Sequence, residues 1–214
     1  MIPLIYNLIY NIYYNKIDLY YLHNPEYLLA MVGHLRYKEV MLNVFKWLRV
    51  KIENNQIVNF GISTWDGFFE SDSNKRLQLD DFISLSIKNG IRDNFVAIQF
   101  PFNILKTDAF TKATQYIDNK FISLIRATEK YSIKCFTSAP FGQGKINDIK
   151  FPAIINESFY GKNNFQKALA FCLSAPNIHT IILGTSKLAH LDDAIETLNY
   201  NGHSETLFYN IFNK

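Results

Sequence analysis

Residues 17–26 read IDLYYLHNPE, and this stretch gives the first indication of the fold. Large apolar residues dominate it up to Leu22, and the chain then changes at once to His23, Asn24 and Pro25. A short apolar run bounded by turn-forming residues is typical of a strand buried on both faces of a parallel sheet. We therefore predict a strand here, with His23 at its carboxyl end.

Four more apolar runs follow at intervals of roughly forty residues, a spacing that fits repeated strand–helix units. The five predicted strands are residues 16–22, 57–62, 95–100, 131–139 and 177–184. Helical periodicity is present in 38–53, 165–175 and 188–199, and residues 77–89 and 113–130 are also compatible with helices. The final ETLFYNIFNK is either an extra helix or a tail. This alternation predicts an α/β fold built from parallel βα units.

Two α/β architectures are compatible with five such strands: an open doubly wound sheet and a (β/α)8 barrel. A barrel needs eight strands and typically about 250 residues. Polar residues follow all five predicted strands, which favours a barrel, because an open sheet gathers its site mainly at one switch point. No GxGxxG motif follows the first strand, which argues against a dinucleotide-binding Rossmann domain.

Composition limits the class of protein. The chain has 214 residues, 48% of them apolar, and a net charge of +3 with no run of five basic residues. We therefore expect a packed core and no binding to nucleic acid or to a membrane. Cys135 and Cys172 lie inside apolar runs and read as buried thiols in a reducing compartment, so we expect a cytoplasmic protein.

The organisation of the chain is expected to be simple. No linker or low-complexity stretch interrupts it, so we predict a single domain over residues 1–214. The apolar N-terminal stretch 1–15 is too short to span a bilayer and is read as a buried helix or helix end. His34, His179 and His203 have no ligand partner at metal-binding spacing, so no metal site is expected.

Taken in order, five segments of the chain resemble the aldo-keto reductase family. They are IDLYYLHNPE (17–26), NQIVNFGISTW (55–65), VAIQFPFN (96–103), SAPFGQG (138–144) and IILGTSKLAHL (181–191). The resemblance implies a (β/α)8 TIM barrel that reduces carbonyl compounds with NADPH or NADH. It aligns the five predicted strands with strands four to eight, so we expect a partial barrel of about five βα units.

The resemblance also implies catalytic and cofactor-binding residues. The family uses an Asp, a Tyr, a Lys and a His, and His23 corresponds to that His. Ser63, Thr64 and Gln99 correspond to residues that hydrogen-bond the nicotinamide carboxamide. Further cofactor contacts are implied for Ser138, Phe141, Gly142, Gly144, Gly184, Thr185, Ser186, Lys187, His190 and Asp193.

Departures from the family pattern leave parts of this site open. Ser138 stands where many members place a Tyr that stacks on the nicotinamide, and Thr64 stands where Asn is common. The Arg and Asn that grip the adenosine phosphate in NADP-dependent members are absent, since those places read His190 and Ala194. The preference between NADP and NAD is therefore undecided.

The family's Asp, Tyr and Lys would all precede Met1. We therefore expect an N-terminally truncated reductase acting on a small carbonyl or alcohol substrate and inactive alone. A separately encoded N-terminal fragment, or a second copy in a homo-oligomer, would then complete it. The alternatives are a non-catalytic nucleotide-binding or scaffold protein and the product of a split gene or pseudogene.

Overall fold

The computed structural model describes residues 16–72 and 74–212, and they fall into two compact units. The first contains the described residues up to Ile98 together with Ala113–Ile133. The second contains Gln99–Lys112 and the described residues from Lys134 onward. The predicted helix in 1–15 lies outside the described residues, and a single domain over 1–214 stays a prediction.

Seven strands and eight α-helices are present in the described residues. The strands are β1 (Ile17–His23), β2 (Ile57–Ser63), β3 (Phe95–Pro101), β4 (Ala113–Ile117), β5 (Lys120–Ser123), β6 (Lys134–Ser138) and β7 (Ile178–Ile181). The helices are α1 (Pro25–Glu53), α2 (Leu79–Lys88), α3 (Asp108–Thr111), α4 (Leu124–Lys130), α5 (Ala153–Ser158), α6 (Asn164–Ser174), α7 (Leu188–Leu198) and α8 (Glu205–Phe212). Short 3-10 segments occupy Arg92–Asn94 and Gly142–Asp148.

Five strands form one parallel sheet in the order β1-β2-β3-β6-β7. These are the five strands that the apolar runs predicted, so the parallel α/β fold is confirmed. The described residues form no closed barrel. The correspondence with strands four to eight of an eight-stranded barrel stays a prediction.

The core of the first unit is largely aromatic. Phe45 of α1 packs edge-on against Phe60 of β2 with ring centroids 5.4 Å apart, and Phe60 stacks on Phe95 at 5.2 Å. All three rings are buried. The predicted apolar face of residues 38–53 is therefore the face of α1 that covers the sheet. The helix begins earlier than predicted, at Pro25, and its backbone is broken at Gly33, whose φ is +70°.

Residues 113–123 do not form a helix, although the pattern of 113–130 was compatible with one. They form the antiparallel β4–β5 hairpin, and only Leu124–Lys130 of that segment is helical. The hairpin turns at Asp118 and Asn119, which both have positive φ (50° and 62°). Adjacent positive φ values match the right-handed twist of a hairpin, and Asp and Asn tolerate them better than most residues. The helical interpretation of this part was wrong.

The core of the second unit gathers around Phe102. Its ring stacks on Phe171 of α6 at 5.5 Å, and Phe208 of α8 packs against Phe171 at 5.1 Å. The segment left open as a helix or a tail is thus a helix that contributes a fully buried ring. Cys135 and Cys172 are both free and buried, as expected, and burial raises the pKa of the Cys172 thiol.

Two further expectations concern absences. Among the described residues no helix is both long and apolar enough to cross a membrane. Residues 16–72 and 74–212 also contain no group of three or more His, Cys, Asp or Glu side chains arranged to hold a metal ion.

Candidate functional site

In the first unit, His23 and Ser63 lie side by side. They are the last residues of β1 and β2, and they are register partners in the parallel pairing of those strands. The backbone N–H of Asn24 donates to the carbonyl oxygen of Ser63 at 2.7 Å, which holds the two strand ends together. His23 is exposed, whereas Ser63 is only 7% exposed. The imidazole can therefore reach a ligand at this edge of the sheet.

Thr64 is engaged within its own loop. Its hydroxyl oxygen accepts a hydrogen bond from the backbone N–H of Gly67 at 2.9 Å, and the residue is buried. A Cβ atom at Gly67 would come within 2.7 Å of that oxygen, so the turn requires glycine. The Thr64 hydroxyl can still donate one hydrogen bond, so its predicted contact with a cofactor amide stays a prediction.

Glu26 is a residue of this region that the sequence did not single out. It lies in the first turn of α1, is only 8% exposed, and accepts a hydrogen bond from the backbone N–H of Trp65 at 3.2 Å through Oε1. Its Oε2 is buried and has no hydrogen-bond partner. An acidic residue in the first turn of a helix ordinarily interacts only with the helix dipole, so no sequence signal indicates that this one is buried.

In the second unit, the loop Ser138–Gly144 is held by its own backbone. The N–H of Gly142 donates to Ala139 O at 3.0 Å, and that of Gly144 donates to Phe141 O at 2.9 Å. Both glycines have positive φ, which explains their presence in the turn. Since both N–H groups already have partners, a pyrophosphate bound here would need other donors from this segment.

Three rings connect this loop with α6 and α7. Phe141 stacks on Phe165 with centroids 3.6 Å apart, and Phe165 stacks on the imidazole of His190 at 4.8 Å. Phe141 is half-buried in this stack, and its predicted contact with a cofactor stays a prediction. Phe165 was predicted only as part of the apolar face of its helix, and its role in positioning His190 was missed.

The segment Gly184–Lys187, which leads into α7, is exposed throughout. The Thr185 hydroxyl oxygen accepts from the Lys187 N–H at 3.2 Å and lies 3.4 Å from Nδ1 of His190. No side chain caps the N-terminus of α7 itself. Unpaired N–H groups at the start of a helix suit a phosphate, and the exposed Ser186 hydroxyl and Lys187 ammonium add further donors.

Asp193 belongs to a polar network between α6 and α7. Its carboxylate accepts from Asn163 Nδ2 at 3.1 Å and from Gln166 Nε2 at 3.0 Å. Gln166 is fully buried and also donates to Glu196 at 3.0 Å. Asp193 was predicted to contact the cofactor, and these bonds give it a role in joining the two helices.

Glu196 collects three partners at the edge of the same network. Its carboxylate accepts from Lys162 Nζ at 2.5 Å, from the Tyr160 hydroxyl at 2.9 Å and from Gln166. The pKa of Glu196 is lowered chiefly by its hydrogen bond from the Lys162 ammonium, and to a smaller extent by those from Tyr160 and Gln166. The Glu196 carboxylate in turn raises the pKa of Lys162.

The remaining two predicted residues lie at strand ends. Gln99 is half-buried near the end of β3, and Ser138 is half-buried as the last residue of β6. Ser138 accepts a hydrogen bond from the backbone N–H of Phe102 through its carbonyl oxygen at 3.1 Å, which leaves its hydroxyl available. The two predicted cofactor contacts therefore occupy positions from which a ligand could be held.

The structure is similar to solved structures of aldo-keto reductases. The holo form of the Bacillus halodurans reductase AKR11C1 matches 98% of this chain and 65% of its own, with a TM-score of 0.62 and 15% identity. Its apo form matches with the same TM-score at 14% identity, over 66% of its length. The thermostable reductase Tm1743, in complex with epalrestat, matches 96% of this chain and 64% of its own at TM-score 0.58 and 13% identity.

The chain shares its fold with aldo-keto reductases. It spans less than two thirds of the length of the reductases that it matches. No family model and no curated protein matches the sequence. Structural similarity at these identities establishes the fold, and the activity is a separate inference from the site.

Proposed function

We propose that this chain is an aldo-keto reductase-like oxidoreductase that uses NADPH or NADH with a carbonyl or alcohol substrate. One observation carries the proposal. His23 lies at the carboxyl end of β1 in register with Ser63, in a chain that shares the aldo-keto reductase fold over 98% of its length. In this proposal the five parallel strands correspond to strands four to eight of the family barrel.

The chemistry assigned to His23 follows from its position. An exposed imidazole at a strand end can hydrogen-bond the carbonyl oxygen of a substrate and orient it. The bound nicotinamide would supply the hydride. Carbonyl reduction also needs a proton donor, which in the family is the Tyr assisted by the Lys. Within these 214 residues only His23 corresponds to one of the four family residues, so we propose that the Asp, Tyr and Lys come from polypeptide outside them.

Residues of the second unit support binding of the phosphate groups of the cofactor. The uncapped start of α7, the exposed Ser186 and Lys187, and the Thr185 hydroxyl fit a phosphate group. The half-buried amide of Gln99 can both donate to and accept from a nicotinamide carboxamide. These residues fit a dinucleotide without selecting between NADP and NAD, because His190 stands where NADP-dependent members of the family carry an Arg.

A titration of the purified chain with NADPH, followed by the fluorescence of the bound nucleotide, tests this binding. We expect saturable binding that Lys187→Gln weakens about threefold to tenfold, because one phosphate-facing charge is lost. Lys88→Gln removes the same charge from α2 and should leave the affinity unchanged. Absence of binding, or equal weakening by both variants, would contradict the proposal.

Catalysis is tested separately by mixing the chain with a fragment that carries the first three strands of an aldo-keto reductase. We expect the oxidation of NADPH by 4-nitrobenzaldehyde to appear only in the mixture. His23→Phe should lower kcat by about tenfold or more, since the phenyl ring has no donor for the oriented hydrogen bond to the carbonyl. Rapid turnover by the chain alone would show that the protons are supplied differently.

A nucleotide-binding protein without catalysis is the second candidate. It is favoured by the fact that the phosphate-facing features all lie in the second unit, whereas His23 lies in the first. Binding of NADPH with no turnover in any mixture would select this alternative.

A further inference from the structure

A cleft of about 310 Å³ opens in the first unit, between the start of α1 and the loop that follows β2. The residues that matter for its chemistry are Glu26, Tyr27, Trp65, Asp66, Glu70 and Lys75. Glu26 and Trp65 follow the register partners His23 and Ser63 by three and two residues, so the cleft lies just beyond the carboxyl ends of β1 and β2. None of the contacts assigned above to a cofactor or to catalysis uses this cleft.

The Glu26 carboxylate is the unusual group in the cleft wall. The residue is 8% exposed, and its Oε1 receives one backbone N–H, from Trp65 at 3.2 Å. Its Oε2 is shielded and has no donor. Burying a carboxylate oxygen without a hydrogen-bond donor costs folding free energy. Such an oxygen in the wall of a ligand-sized cleft therefore indicates that a bound ligand supplies the donor. The terminal torsion of a Glu side chain is soft, so the carboxylate can turn to accept a hydrogen bond from a donor bound in the cleft.

Two aromatic side chains flank this carboxylate with much of their surface exposed. Trp65 is 39% exposed and Tyr27 is 61% exposed, although both have large apolar rings. Indole and phenol faces attract organic cations through the ring quadrupole, and this attraction is strongest for Trp. Their position beside Glu26 places two aromatic faces and a carboxylate around one cleft.

The charge of the cleft is negative. Three carboxylates line it, from Glu26, Asp66 and Glu70, against the single ammonium of Lys75. Lys75 Nζ lies 3.8 Å from the carboxylate of Asp72. The backbone N–H of Asp72 lowers the pKa of Glu70, so the Glu70 carboxylate is ionised at neutral pH. The described residues contain no carboxylate group arranged to hold a metal ion. The negative charge beside the exposed rings of Trp65 and Tyr27 suits an organic cation.

We propose that this cleft binds a small organic ammonium ion, with the N–H groups of the cation donating to Glu26 and its carbon skeleton lying against Trp65 and Tyr27. The ammonium supplies the donor that the Glu26 carboxylate lacks, and the aromatic rings supply cation–π contact. The site requires neither the nicotinamide cofactor nor His23, so this proposal is independent of the proposed reductase function.

Intrinsic fluorescence tests the proposal, because the chain contains two tryptophans and one of them lines the cleft. Trp47→Phe leaves Trp65 as the only indole and keeps an aromatic ring beside Tyr20. This variant is titrated with benzylamine, which is a cation at neutral pH, and with benzyl alcohol, its neutral counterpart, at matched ionic strength. We expect saturable quenching by benzylamine and affinity for benzyl alcohol lower by about tenfold or more.

Two further variants in the Trp47→Phe background identify the residues responsible. Glu26→Gln should weaken benzylamine binding by about tenfold, because the charge is lost while the shape is kept. Glu53→Gln removes the same charge from the exposed end of α1 and should bind like its parent. Equal affinity for the amine and the alcohol, unsaturable quenching, or no effect of Glu26→Gln would overturn the proposal.

If circular dichroism shows that Glu26→Gln is unfolded, Tyr27→Ala takes its place. Tyr27 is largely exposed, so its truncation should preserve the fold. We expect this variant to bind benzylamine about threefold to fivefold more weakly, because one aromatic wall is lost. Unchanged affinity in Tyr27→Ala would overturn the proposal in that case.

Discussion

Gln166 shows how much one buried side chain contributes to the second unit. It donates to Asp193 and Glu196 and accepts from the Lys162 N–H at 2.7 Å, while it is fully buried. Gln166→Leu would leave the Lys162 N–H without a partner and would remove one buried donor each from Asp193 and Glu196, which keep their other partners. We therefore expect unfolding by urea to require about 2–4 kcal/mol less free energy. Gln166→Glu keeps the shape but adds a third negative charge, and it should also destabilise the protein at neutral pH. A loss below about 0.5 kcal/mol in Gln166→Leu would contradict this role.

We expect the ion pair between Glu196 and Lys162 to stabilise the fold only within a limited range of pH. Because the pKa of Glu196 is lowered on folding, its contribution is present above its unfolded pKa and is lost as the pH falls through its folded pKa. Because the pKa of Lys162 is raised, its contribution is present below its unfolded pKa and is lost as the pH rises through its folded pKa.

The expected window therefore extends from about pH 4.3 to about pH 10.4. We expect Glu196→Gln to lower Tm at neutral pH and to differ less from the parent protein at about pH 3, below the unfolded pKa of the carboxyl group. Thermal unfolding measured at both pH values checks this. A Tm difference that does not change with pH would mean that the substitution acts through packing and not through charge.

At the scale of elements, the β4–β5 hairpin depends on contacts that its own sequence does not contain. Gln115 of β4 is fully buried, its Oε1 accepts from the Leu79 N–H at 2.9 Å, and its Nε2 donates to the Phe68 carbonyl oxygen at 3.0 Å. It thereby caps the start of α2, whose N-cap residue Gln78 makes no such bond with its side chain. The side chain of Gln78 instead accepts from the Tyr116 N–H at 2.9 Å.

We expect Gln115→Leu to destabilise the chain by about 2–3 kcal/mol, because the buried Leu79 N–H loses its partner and the Phe68 carbonyl oxygen keeps only the Thr114 hydroxyl. Hydrogen exchange should then show faster exchange at the first turn of α2 as well as in the hairpin. Gln78→Leu is the matched comparison, since it also removes two hydrogen bonds, to the exposed Tyr116 N–H and to the Thr114 carbonyl oxygen, but from a side chain that is less buried, and it should cost less. Equal effects of the two substitutions would rule out the capping role of Gln115.

The hairpin also shows where the sequence was informative and was misread. Asp118-Asn119 between two runs of β-forming residues is a hairpin signal, and it outweighs the weak helical periodicity of 113–130. By contrast, the five parallel strands were predicted correctly from their apolar runs. A strand buried on both faces needs such a run wherever its neighbours lie, so the signal is local.

At the scale of the whole molecule, α7 carries an uncovered apolar stripe. Leu188, Leu191, Ile195 and Leu198 follow helical spacing and are 80%, 44%, 49% and 59% exposed. Contiguous apolar surface of this kind mediates association. We therefore expect the chain to self-associate in sedimentation velocity at micromolar concentration.

The double substitution Leu188→Lys and Leu198→Lys should shift that distribution towards the monomer. Ile87→Lys, at an isolated exposed position on α2, is the control and should not change it. A monomeric parent protein would contradict this expectation. Whether the chain forms a homo-oligomer or pairs with another polypeptide stays a prediction.

The sequence by itself determined the parallel α/β fold, the apolar faces of the helices and the position of His23 at a strand end. These features depend on burial with a fixed period along the chain, which is a local property. Only the tertiary structure decided that Phe141 stacks on Phe165, that Asp193 is bound by Gln166 and that the Gly142 and Gly144 N–H groups are occupied. Phe165 and Gln166 lie tens of residues from Phe141 and Asp193 along the chain, and a residue's own neighbours do not record which distant group it will meet.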